Sequence, residues 1–135
     1  MILLGFDFGP RKIGVAVGQT VTRSATPLIT LRSRGERPDW MGIAALIRDW
    51  QPNALVVGLP FQMDDTEVAW SPRVYRFARQ LEGRYRLPVH LVDERLTSRE
   101  AHRQLADRDR RTPRLEDVDA LAAALILETW LCEHA

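Results

Sequence analysis

Two adjacent runs constrain this chain more than anything else in it: Leu3-Leu4-Gly5-Phe6-Asp7-Phe8-Gly9 and Ile13-Gly14-Val15-Ala16-Val17-Gly18. Both alternate as strands do, and Gly9-Pro10-Arg11-Lys12 between them reads as a turn, so an antiparallel hairpin is expected. One face of the hairpin carries Leu4, Phe6, Phe8, Ile13, Val15 and Val17. The other carries Gly5, Asp7, Gly14, Ala16 and Gly18 and is nearly bare. Glycines inside strands mark a close backbone approach, so a helix should lie against the bare face; relief of crowding is the plainer account of the same residues. Asp7 stands on that face. A carboxylate buried in a strand is costly unless it binds a metal, pairs with Arg11 or Lys12, or takes up a proton.

The rest of the chain alternates strand and helix. Ala25–Leu31 reads as a third strand, placed at an edge by Pro27. Asp39 is a candidate N-cap for a helix to about Trp50 that presents Trp40, Ile43, Ala44, Ile47 and Trp50 on one side. Ala54–Pro60 is a continuous apolar run, the mark of a parallel strand buried on both faces. A loop from Phe61 to Trp70 follows, and Ser71-Pro72 is a candidate cap and first helical position for a helix through Val74, Phe77, Ala78, Leu81 and Tyr85. Val89–Glu94 is the fifth strand. Thr97-Ser98-Arg99-Glu100 matches a capping box, so a short helix to about Ala106 is expected there, then a charged loop. The last helix runs from Glu116 to near Cys132. Right-handed crossovers put the first strand in the middle, beside the fourth. The expected class is α/β: a mixed five-stranded sheet, three antiparallel strands plus two parallel ones, with helices on both faces, in one domain over residues 1–135.

Composition excludes several classes. No stretch approaches the roughly 20 apolar residues of a membrane span, and the N-terminus lacks the basic region of a signal peptide. Cys132 is the only cysteine, so no internal disulfide can form, which fits a reducing cytoplasm. His90, His102 and His134 with that cysteine make no zinc spacing, so any metal would be held by oxygen. The net charge is only +1, but 18 of the 19 basic residues are arginine and seven of them fall between Arg95 and Arg114. Guanidinium binds phosphate bidentately. An arginine-rich segment beside carboxylates therefore suits a polyanion held with metal ions between. A solvated helix surface, paired internally with Glu100, Asp107 and Asp109, accounts for the segment equally well.

Three acids fall at the ends of elements that should meet. Asp7 is on the central strand, Glu94 closes the fifth, and Asp119 lies in the first turns of the last helix. There Asp119, Ala123, Ile126 and Trp130 share a face, with Ala122 beside them, and small residues allow close approach to Gly5, Gly14 and Ala16. Such a cluster suits divalent cations, and two of them about 4 Å apart could clamp the attacking and leaving oxygens of a phosphodiester. Taken singly, each acid has a plainer role: Asp93 and Glu94 could pair with Arg95, and Asp119 could favour a helix start. Glu116 is three residues from Asp119 and on its face, whereas Asp117 points away. Glu116 is thus a candidate auxiliary ligand, unless both acids only favour the helix N-terminus.

Asp7-Phe8-Gly9 with Ile13-Gly14-Val15-Ala16, Val57-Gly58-Leu59-Pro60, Asp93-Glu94-Arg95, and Asp119 followed by Ala122-Ala123 and Ile126-Leu127 closely resemble the YqgF/RuvX family, in order and over essentially the whole chain. The resemblance implies a ribonuclease H-like fold related to Holliday-junction resolvases. It implies a nuclease that hydrolyses phosphodiester bonds in 5′-end maturation of pre-16S rRNA, with resolution of branched DNA as the competing activity. It also implies Asp7, Glu94 and Asp119 as catalytic ligands of Mg2+ or Mn2+. Arg11, Lys12, Arg95, Arg99, Arg103, Arg110 and Arg111 are then the candidate contacts to structured RNA or branched DNA, with no membrane partner, and with monomer and homodimer both open. The chain departs from the family pattern in Asp64-Asp65-Thr66-Glu67, where the family has Asp-Gly-Thr-Glu, and in the acids Glu116 and Asp117 ahead of Asp119.

Two other classes compete. Asp-Phe-Gly before a basic turn is similar to the first phosphate motif of actin-like ATPases, but those need two lobes and 135 residues provide one. A non-catalytic RNA-binding assembly factor would use the same basic surface without cleavage.

Overall fold

The computed structural model describes residues 1–60, 69–93 and 115–134, with side-chain surroundings in the last helix given from Val118 onward. The elements are β1 (Ile2–Phe8), β2 (Lys12–Gln19), β3 (Ser24–Arg32), α1 (Trp40–Trp50), β4 (Ala54–Leu59), α2 (Ser71–Tyr85), β5 (Val89–Asp93) and α3 (Leu115–His134). The strands form one sheet in the order β3-β2-β1-β4-β5. β1 pairs antiparallel with β2 and parallel with β4, and β4 pairs parallel with β5. The expected mixed sheet is therefore present, with β1 central. The expected short helix from Thr97 and the Phe61–Trp70 loop, with its Asp64–Glu67 motif, fall wholly or largely outside the described residues.

The edge position of β3 has a local cause. Its register with β2 shifts between Val15 and Ala16, so that Val15 faces Ile29 and Ala16 faces Pro27. A proline that cannot donate to a ladder is tolerated at such a bulge on an edge strand.

The two sheet faces pack differently because the side chains of β1 and β2 differ so much in size. Leu4, Phe6, Phe8, Ile13, Val15 and Val17 build one core with Ile43 of α1 and with Val74, Phe77 and Leu81 of α2. Phe77 is its centre: its ring lies 5.7 Å from Phe6, 5.1 Å from Phe8 and 5.6 Å from Trp40. Aromatic pairs of this kind contribute about 0.5–1.5 kcal/mol beyond their buried area. The other core is built by α3, whose Ala123, Ala124, Ile126, Leu127, Trp130 and Leu131 pack on Leu3, Ala16, Ala25, Ala54, Val56 and Val92.

Helix ends follow local chemistry with one change. Asp39 caps α1 as expected, its carboxylate accepting from Gly42 N at 3.0 Å. Ser71 is not the cap of α2; Trp70 holds that position, and Ser71 is the first helical residue, fully buried. The Trp70 ring lies 6.1 Å from Phe8, which fixes the entry of α2 by packing rather than by a side-chain hydrogen bond. On α1, Ile43 is buried with Trp40, Leu46 and Ile47 half-buried, while Ala44 and Trp50 are exposed. No helix among the described residues is long and apolar enough to cross a membrane.

Candidate active site

The hairpin turn is tight because Gly9 makes it so. Gly9 N donates to the Lys12 carbonyl at 3.0 Å, and a Cβ at Gly9 would stand 2.8 Å from that same oxygen. The turn returns the chain so that Asp7 pairs in register with Gly14 on β2, while on β4 its partner is Gly58. Asp7 is half-buried and has glycine on both sides across the sheet. At these two register positions the neighbouring strands contribute no side chain.

The start of α3 lies directly over this gap. A Cβ added at Gly14 would collide with the Asp119 carbonyl group and come within 2.9 Å of Ala120 N. Further along, a Cβ at Gly5 would meet Leu127 Cβ at 2.9 Å and the Ala123 carbonyl at 3.2 Å, and one at Gly18 would meet Leu127 and Leu131. The glycines serve close helix approach, as the bare face implied, and not mere relief of crowding. The helix stripe that meets them is Asp119, Ala123, Leu127 and Leu131. Trp130, expected on this stripe, instead stacks on His90 of β5 with ring centroids 4.8 Å apart.

Asp119 therefore sits over the strand position next to Asp7. Its Oδ2 lies 2.8 Å from Lys12 Nζ, with both side chains partly exposed. Lys12, offered by the sequence as a partner for Asp7, meets Asp119. The contact is an ion pair without hydrogen-bond direction, and that buried Oδ2 has no hydrogen-bond partner among the described residues. Carboxylate oxygens at a gap left by glycine, one of them lacking a directed donor, are a donor set that fits a hard divalent cation. Two acids alone are too few for a cage, and no group of three potential ligands occurs among the described residues.

The chain has relatives across its whole length. A family model described as "RuvX: Holliday junction resolvase" matches residues 1–133. A protein of Azotobacter vinelandii named "Putative pre-16S rRNA nuclease" is 53% identical over 134 residues, covering 98% of this chain and 94% of its own. One of the same name from Pseudomonas paraeruginosa is 52% identical over 134 residues, covering 98% and 93%. The chain belongs to the RuvX family. In architecture the family member resembles T. thermophilus RuvC in complex with a Holliday junction substrate, with a TM-score of 0.62 at 19% identity over 100% of this chain and 98% of that one. This likeness identifies the ribonuclease H-like fold.

For this RuvX-family chain the remaining expected site residues divide in two. Glu94, Arg95, Arg99, Arg103, Arg110 and Arg111 lie outside the described residues. α3 has begun by Leu115, so Glu116 is helical, which is the condition for it to share a face with Asp119. Arg11 is exposed on the β1–β2 turn. A second set of arginines, at positions 32, 34, 37, 73, 76 and 84, escapes the sequence pattern and lines one groove on the opposite side of the sheet. Only the helical spacing of Arg73, Arg76 and Arg84 on α2 signals it in the sequence.

Proposed function

We propose that this chain is a divalent-metal-dependent endonuclease acting in the cytoplasm on structured RNA, the 5′ region of pre-16S rRNA, with Asp7, Glu94 and Asp119 as its catalytic carboxylates. The observation that carries the reading is the seating of α3 on Gly14, which sets Asp119 over the register neighbour of Asp7. The names of the full-length relatives supply the substrate. Glu94 follows Asp93 directly in the chain. In β5, Val92 packs in the α3 core and His90 stacks on Trp130. Glu94 itself lies outside the described residues, and its place in the set rests on the family resemblance.

Mg2+ or Mn2+ held by these carboxylates, with Glu116 assisting, would supply Lewis-acid stabilisation of the phosphodiester and an activated water. The protein's own part is placement. Strand and helix backbones fix Asp7 and Asp119, so little reorganisation is needed when charge develops. Lys12 balances Asp119 when the site is empty of other cations and can turn to a phosphate oxygen, since its side chain is partly exposed. Arg11 extends from the same turn toward the substrate backbone.

Resolution of four-way DNA junctions is the second reading, favoured by the description of the matching family. The test is one purified preparation assayed with Mg2+ or Mn2+ on a pre-16S 5′ fragment and on a four-way junction. Asp7→Asn and Asp119→Asn run in parallel. Cleavage of the RNA that both variants lose supports the first reading, and junction cleavage with the same dependence supports the second. Cleavage that survives in both variants removes the carboxylates from the chemistry.

A further inference from the structure

On the face of the sheet away from Asp7 and Asp119, an open groove of about 1140 Å³ runs between the β3–α1 connection and α2. It is lined by Arg32, Arg34, Arg37, Arg73, Arg76 and Arg84, against only two carboxylates, Glu36 and Asp39. Asp39 is already engaged as the cap of α1. Small-molecule pockets are mostly apolar with a few polar groups. A single phosphate needs two or three donors, whereas six guanidinium groups spread along a groove suit a chain of phosphates.

The arginines are arranged rather than scattered. Arg34 and Arg37 exchange backbone hydrogen bonds of 2.9 and 3.0 Å across a two-residue turn whose first residue is Gly35, at φ +59°. That turn sets two like charges directly opposite each other, which is destabilising without a counter-charge. Among the described residues, neither is ion-paired with a carboxylate. Arg73 donates to the Pro10 carbonyl at 3.2 Å and lies 5.7 Å from the Phe8 ring centroid. Arg84 lies 4.1 Å over the ring of Trp40. Stacking by the flat face leaves the edge N–H groups of Arg84, and those of Arg73 not given to Pro10, turned toward the groove for phosphate.

The groove is also joined to the candidate active site. Its walls bond the β1–β2 turn twice, through Arg73 to Pro10 O and through Ser33 N to Arg11 O at 2.9 Å. That turn carries Lys12, which reaches Asp119 on the far face. A strand leaving the carboxylates over Arg11 therefore arrives at Arg73.

We propose that this groove binds the sugar-phosphate backbone of the RNA flanking the cleaved bond, holding the substrate by phosphates beyond the site of chemistry. The inference rests on the reading of the chain as a nucleic-acid enzyme. An acidic protein segment would match the charge, but the continuity with a phosphodiester site favours the nucleic acid.

The test measures equilibrium binding across a KCl series for two RNAs, one just spanning the cleaved bond and one extended on one side. The proteins are the full chain and the double variants Arg34→Gln/Arg37→Gln and Arg76→Gln/Arg84→Gln. The full chain should bind the extended RNA more tightly and with the steeper salt dependence. Each double variant should lose that advantage, its log–log slope falling by about 0.7 for every single-strand phosphate contact removed. Both variants should remain folded, with the midpoint of Arg34→Gln/Arg37→Gln kept or raised as the like-charge pair is removed and that of Arg76→Gln/Arg84→Gln lowered only slightly for the lost Arg84–Trp40 contact. Equal binding of the two RNAs by the full chain, or wild-type affinity and slope in both double variants, overturns the proposal. Failure of the nuclease reading has a separate signature: no metal-dependent cleavage of RNA or junction by the full chain, whatever the groove variants do to binding.

Discussion

Replacing Gly14 by alanine adds one methyl group where the structure has no room for it. The new Cβ would overlap the Asp119 carbonyl group and stand 2.9 Å from Ala120 N. These are main-chain atoms of a helix, so no side-chain rotation can clear them. α3 has to withdraw, and Ala123, Leu127 and Leu131, which pack beside the glycines, lose close contact with the sheet. Overpacking of a well-filled core costs roughly 1–3 kcal/mol, and a backbone obstacle places Gly14→Ala at or above the top of that range. The same withdrawal moves Asp119 relative to Asp7, and a displacement of about 1 Å at a reacting centre can cost on the order of 100-fold in rate. Urea unfolding followed at fixed m gives the stability loss, and cleavage of the RNA fragment gives the rate. Two further glycines calibrate the result. At Gly18 the new atom meets mainly the ends of Leu127 and Leu131, at 2.9 and 3.0 Å, so Gly18→Ala should cost less than Gly14→Ala. At Gly83 in α2 nothing lies within 4 Å, so Gly83→Ala should stabilise by about 0.5–1 kcal/mol. A Gly14→Ala protein as stable and as active as wild type would refute the close seating of α3 and the site built on it.

Asp7→Asn should abolish metal-dependent cleavage while the unfolding midpoint is kept or raised, because one of two neighbouring carboxylate charges is gone; full activity in the folded variant would remove Asp7 from the site. Lys12→Met removes the cation that occupies Asp119, so calorimetric titration should show tighter Mn2+ binding with a stability change within about 1 kcal/mol. Unchanged or weaker binding would show that Lys12 does not compete for the carboxylate. Glu116→Gln should raise the metal concentration needed for half-maximal activity, and Asp117→Asn should not; equal effects from both would reduce the two acids to helix-start charges. Burial raises the Tyr85 hydroxyl above its ordinary value of 10.0, with Arg84 acting in the opposite sense. The unfolded chain therefore releases that proton first, stability falls as pH rises above 10, and Tyr85→Phe should flatten this alkaline limb in pH-dependent unfolding.

The part of the fold written in short-range alternation is legible in the amino-acid order itself. Gly5, Gly14 and Gly18 fall on one face of a hairpin, and the period of two alone places them there, so the contact with α3 can be foreseen. The face of α3 that makes the contact cannot. Residues Ala123 to Leu127 are all buried, though the sheet covers only one side of the helix, and an apolar run buried all round has no single stripe to read. Trp130 then leaves the expected stripe for His90, a partner 40 residues away in sequence. On α1 the expected face holds for Trp40, Ile43 and Ile47, which pack on the core with Leu46, but not for Ala44 and Trp50, which are exposed. The arginine groove is hidden for a different reason. Its six arginines are spread between positions 32 and 84, with no local excess to match the cluster from 95 to 114, and only the topology brings them together.

That separation has an electrostatic logic. Guanidinium groups within about 4–6 Å of Asp7 and Asp119 would pair with the carboxylates and compete with a divalent cation for the same oxygens. Among the described residues, Lys12 is the cation seen paired with Asp119, and six arginines line a groove on the other side of the sheet. In the proposed reading these arginines hold phosphates of the substrate away from the carboxylates. The hairpin makes this division possible. Its small-residue face admits a helix, and its large-residue face anchors α1 and α2, with the groove between α2 and the β3–α1 connection. The β1–β2 turn is the point where the two faces meet, bonded to the groove through Pro10 and Arg11 and to Asp119 through Lys12. On the proposed path a substrate would cross this turn, where Arg11 is exposed, so Arg11→Gln should weaken both binding in the groove and cleavage at the carboxylates.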